Sequence, residues 1–164
     1  MRRLTAILCF FAGLQLHAQA PSPKLQQGIF EPVTATIPAM DSGRFIDITK
    51  AWANSFTRRE EGYDASNVTT GSINISATKR NAFRYQNTGE PVDNKIRYTL
   101  QITFTQTSYT LKFVVNDIYG DGNNLLDYKL PDYYNSNGTL KDGYQGLEQS
   151  LQRTVNDIVA SYHD

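Results

Sequence analysis

The sequence predicts an α+β fold, a five-stranded antiparallel sheet with two helices on one face, in the order β-α-β-β-β-β-α. Three patterns carry this reading. Ile96, Tyr98, Leu100, Ile102 and Phe104 alternate without a break with Arg97, Thr99, Gln101, Thr103 and Thr105, the period of two that gives a strand one dry and one wet face. Phe45, Ile48, Trp52 and Phe56 recur at intervals of three and four, the stripe of a helix packed on a sheet. Tyr144, Leu147, Leu151, Val155, Ile158 and Tyr162 keep the same spacing near the C-terminus and predict a second amphipathic helix of about five turns.

Before these elements, Arg2 and Arg3 precede an apolar run over residues 4–14, the layout of a secretory signal peptide over residues 1–18. The run is shorter than the roughly 20 residues a membrane-spanning helix needs, so it reads as a segment to be removed. Cleavage is expected between Ala18 and Gln19, because a cut after Ala20 would leave Pro21 directly behind the scissile bond. Cys9 lies inside the apolar run, not at its end where a lipid would be attached, so the mature chain is expected to carry no membrane anchor. Residues 19–28 are polar and aperiodic and read as a flexible leader, followed by one domain over residues 29–164.

Within that domain, Val33, Ala35 and Ile37 alternate with Thr34 and Thr36 between Pro32 and Pro38, a first strand. Asp41 or Ser42 can cap the first helix, which should end near Arg58 and set Trp52 against Tyr98, Leu100 and Ile102. Residues 63–66 and 72–78 form a hairpin-like pair about Gly71, with Ile73, Ile75 and Ala77 on one face. Residues 79–94, with Gly89, Pro91 and several Asn, read as a loop. After a turn at residues 106–108, Tyr109, Leu111, Phe113 and Val115 form a fifth strand, paired with the fourth in a central hairpin.

Composition excludes several chemistries. Loss of the signal peptide removes Cys9 and His17, leaving no cysteine and His163 as the single histidine; disulfides, zinc-thiolate sites and a cysteine nucleophile are ruled out. It also leaves 14 basic residues against 16 acidic, a net charge of −2, which gives no basis for nucleic-acid binding. No cofactor is expected. With 40% hydrophobic and 20% charged residues, the chain is globular in composition.

The aromatic and amide residues of the segment 117–143 are the binding candidates. Tyr119, Tyr128, Tyr133 and Tyr134 occur there with Asn123, Asn124, Asn135 and Asn137. Rings with amides suit a glycan or peptide surface, though the same rings could anchor a long loop to the sheet. Asp117, Asp121, Asn123 and Asp127 offer a calcium alternative, but Tyr119 and Tyr128 fall where two defining oxygen ligands belong, so no metal is expected. Glu60-Glu61 reads as a solvated helix end, with no catalytic residue assigned.

The segment Ile29-Phe30-Glu31-Pro32-Val33, the helix with its central Trp52, the Gly71-Ser72-Ile73 step and the hairpin over residues 98–115 resemble a family of exported bacterial domains of unknown function with a TBP-like fold. The resemblance covers roughly residues 30–162 and implies the half-repeat topology of that fold, with no activity or ligand to carry over. The expected function is a non-catalytic domain, periplasmic or secreted, that binds a peptide, glycan or protein partner. A carboxylate-based hydrolase and a structural envelope component are the alternatives.

Overall fold

A computed structural model describes residues 22–57, 60–87 and 89–163; the expected signal peptide and cleavage point lie outside the described residues. The chain folds as a short hairpin of β1 (Leu25–Gln26) and β2 (Ile29–Phe30), then β3 (Val33–Thr36), α1 (Ser42–Phe56), β4 (Asp64–Val68), β5 (Ser72–Asn87), β6 (Glu90–Phe104), β7 (Ser108–Tyr119) and α2 (Leu147–His163). β3 to β7 form one antiparallel sheet in the order β3-β7-β6-β5-β4.

The alternation of β6 puts Ile96, Tyr98, Leu100 and Ile102 on the buried face, beside Ile73, Ile75 and Ala77 of β5 and Leu111 and Phe113 of β7. Both helices close this face. Phe45 of α1 stacks on Phe104 at 4.4 Å, and Tyr162 of α2 meets Tyr109 edge-on at 5.3 Å. The Asp41 carboxylate accepts from the Arg44 N–H at 2.9 Å and starts α1; the Thr57 N–H, donating to Ala53 O at 2.8 Å, ends it.

The orientation of α1 differs from the expected one. Its buried residues are Phe45, Thr49 and Ala53, while Ile48 is 50% exposed and Phe56 lies at the surface. Small Thr49 and Ala53 let the helix approach the sheet, and the larger apolar side chains turn to its flank. Trp52 therefore does not face Tyr98, Leu100 and Ile102. It is half-buried between the helices, stacked on Phe56 and edge-on to Tyr162 at 4.9 Å.

Residues 79–94 are not a loop. β5 runs on to Asn87 and β6 begins at Glu90, in register across Arg84↔Asp93, Tyr85↔Val92 and Gln86↔Pro91. The expectation failed because the register shifts between Lys79 and Phe83, where Asn81 takes a φ of 49° and both Ala82 and Phe83 turn inward. The bulge erases the period of two, and a cross-strand ion pair of Arg84 with Asp93 at 2.6 Å stands in for apolar alternation.

The segment read as a flexible leader is also ordered from residue 22. Pro23 is buried, the Leu25 N–H donates to Gln152 Oε1 at 2.9 Å, and Leu25 pairs with Phe30. At the turn, Gly28 has a φ of +80°, and a Cβ there would stand 2.5 Å from the Pro131 nitrogen. Only glycine fits. Tyr144 precedes α2 instead of extending its stripe.

Candidate functional site

With both helices on one face, the opposite face of the sheet is bare. Register arranges its side chains in rows that run across the strands. Thr34, Thr110, Thr103 and Ser72 make a hydroxyl row. Lys112, Gln101, Asn74 and Asn67 make an amide row ending in one cation. Val114, Thr99 and Ser76 make a third. Some hydroxyls satisfy one another, as Thr34 does with Thr110 at 2.8 Å and Ser76 with Thr99 at 2.9 Å, and Asn116 Nδ2 donates to Thr99 at 2.7 Å. These bonds tie neighbouring strands together across the rows, with Gln101 and Thr103 exposed between them.

The end of the sheet beside the bulge is charged. Glu60 pairs with Lys79 at 3.2 Å and accepts from the Tyr98 hydroxyl at 3.4 Å; Glu61 pairs with Lys95 at 3.4 Å. The Lys95 ammonium also lies 4.4 Å from the centre of the Tyr119 ring. Glu60 is 18% exposed, so the solvated helix end expected for Glu60-Glu61 is instead a set of ion pairs over an open cleft of about 460 Å³. Burial, then the nearby Glu60 charge, pushes the Tyr98 phenol well above its ordinary pKa and keeps it protonated. Farther along, Arg84 holds Asp93 below the usual carboxylate range, and Lys129 with Arg97 does the same for Asp117.

A carboxylate hydrolase needs one acid held protonated beside one held ionised. Here Glu60, Glu61, Asp93 and Asp117 are each paired with a cation, and no second carboxyl contacts any of them among the described residues.

The loop candidates separate by burial. Tyr133 and Tyr134 are 3% and 7% exposed; they anchor the loop and cannot serve as a surface platform. Tyr133 meets Tyr144 edge-on at 4.8 Å, and Tyr144 meets Tyr85 at 4.9 Å, an aromatic relay on the long β5–β6 hairpin. Tyr128 is 56% exposed and Tyr119 is held under Lys95. Asn123 is exposed with a φ of 66°, and Asn135 donates to Thr139 at 3.1 Å, shaping a turn. The structure does not bring these six residues into one surface. Asp117 of the calcium alternative is engaged by Arg97 at 2.6 Å and Lys129 at 3.0 Å, and the side chain of Asp121 lies outside the described residues.

The order β3-α1-β4-β5-β6-β7-α2, with its first strand beside its last, is the half-repeat expected from the sequence. A solved structure of a DUF4468 family protein from Bacteroides ovatus superposes with a TM-score of 0.57 at 11% identity, over 84% of this chain and 83% of that one. A TBP-like protein from Parabacteroides distasonis superposes with a TM-score of 0.50 at 15% identity, over 88% of this chain and 97% of its own. The fold is TBP-like. At these identities the likeness is one of fold alone. No protein-family model matches the chain, and no curated protein is similar to it.

Proposed function

We propose that the protein is an exported, non-catalytic TBP-like domain that binds a peptide, glycan or protein partner across the bare face of its sheet. The observation that carries this reading is the amide row of Gln101, Asn74 and Asn67, set between two hydroxyl-bearing rows on a face that no helix covers. Side-chain amides present a donor and an acceptor each, the complement of peptide bonds and sugar hydroxyls. A phosphate backbone would need many more unpaired cations than this face carries, since Arg97 is taken by Asp117, which leaves Lys112. Export is read from residues 1–18 and predicts a mature N-terminus at Gln19, in the periplasm or outside the cell.

Selection of ligands from a displayed peptide library and a glycan array, using the mature protein, tests the proposal. Gln101→Arg places a long cation in the middle of the face at an exposed position, where substitution costs within about 0.5 kcal/mol of stability. It should abolish binding of the selected ligands while leaving the melting temperature unchanged. Ligands that bind this variant as tightly as the parent protein would place recognition elsewhere.

A further inference from the structure

The outer edge of β7 is half covered. β3 pairs with it only from Ser108 to Leu111, because the next N–H that could continue the ladder, that of Glu31, is donated to Lys24 O at 2.9 Å instead. Beyond Leu111, no strand among the described residues pairs with this edge until the Leu126 N–H reaches Ile118 O. The Thr105 N–H donates to Ser108 O at 2.8 Å, which makes Ser108 a position whose main chain faces β6. Alternation in an antiparallel pair then turns the main-chain groups of Lys112 and Val114 toward β6 and those of Phe113 and Val115 outward.

These outward groups meet a groove of about 220 Å³, whose other walls are Gly28–Phe30 and Lys129–Pro131. That volume is below the roughly 300–1,000 Å³ of sites for whole drug-sized ligands and suits one large apolar side chain. Ile29 stands at the groove, 58% exposed. Two cations border it. Lys129 is occupied by Asp117 at 3.0 Å and by Asn116 O at 2.8 Å, whereas Lys112 is exposed and makes no ion pair among the described residues.

We propose that this groove captures the C-terminal residue of a peptide, its apolar side chain in the groove and its carboxylate on Lys112. An apolar hole beside an uncompensated ammonium selects an apolar carboxylate. The unpaired main chain of Phe113 and Val115 gives a peptide backbone hydrogen bonds that a fatty acid cannot use, which decides for the peptide. The inference is separate from the sheet-face reading: the groove opens at the strand edge, and since Lys112 borders both groove and face, Ile29 at the groove wall is the position that tells the two apart.

Titration with acetyl-Ala-Ala-Leu as the free acid, the same peptide as its C-terminal amide, and octanoate provides the test. The free acid should bind at least tenfold more tightly than the amide, and Lys112→Gln should remove that preference without changing the melting temperature. Octanoate should bind more weakly than the peptide acid. Equal binding of acid and amide, octanoate as tight as the peptide, an intact preference in Lys112→Gln, or no binding at millimolar concentration would each overturn the proposal. Ile29→Glu, at the exposed groove wall, gives a second reading: it should weaken the free acid at least tenfold, and an unchanged affinity would also count against the site.

Discussion

The indole N–H of Trp52 donates to Ser161 Oγ at 3.3 Å, tying α1 to the last turns of α2 instead of to the sheet. The hydroxyls of Thr49 and Tyr162, 2.9 Å apart, make a second tie between the helices. Burial pushes the Tyr162 phenol up to about 12, so this contact stays neutral across the physiological range.

Phe45 should therefore matter more to stability than the tryptophan. Phe45→Ala empties a site stacked on Phe104 and should cost about 3 to 5 kcal/mol. Trp52→Ala, from a half-buried position, should cost about 2 kcal/mol. Urea unfolding of both variants checks the order. A larger loss for Trp52→Ala would restore the sheet-facing orientation of the helix.

Gly28→Ala should destabilise the fold by more than about 1 kcal/mol, because the new methyl group meets Pro131 at a φ of +80°. Thermal melting of the mature protein measures it. A neutral effect would mean that the β1–β2 hairpin does not pack on the Leu130–Pro131 segment.

Asp117→Asn should lose about 1 kcal/mol at pH 7, from the carboxylate that Lys129 and Arg97 share. Its folded pKa is lowered, so the stabilisation is complete above the unfolded value near 3.8 and disappears as pH falls through the folded value. Stability curves of parent and variant should thus converge below about pH 4. A gap that persists at pH 2 would assign the effect to packing.

Calcium should leave the melting temperature unchanged relative to chelator. A metal on Asp117 would have to displace both cations, and a bound ion at 100 times its dissociation constant would add about 2.7 kcal/mol. A rise of several degrees would revive the calcium loop.

The dry faces were legible wherever one period ran unbroken, as in β6 and the body of α2. The extension of β5 was hidden by its bulge, since Ala82 and Phe83 turn inward together and no alternation survives. In α1 the apolar spacing fitted two adjacent faces, and the choice depended on how closely Thr49 and Ala53 let the helix approach, a tertiary fact. The loop rings carried no mark that separates Tyr128 at the surface from Tyr133 in the core. As for the bare face, its polar phase was visible in Thr99, Gln101 and Thr103, but the rows exist only once register sets Gln101 beside Asn74 and Lys112.

Amide chemical-shift mapping of the labelled domain with the tightest ligand from the library or array tests the central claim most directly. Recognition across the bare face predicts that the largest shifts fall at Asn74, Thr99, Gln101 and Thr103, with α1 and α2 undisturbed. Shifts confined to the helices, or to Tyr128 and its loop, would contradict it.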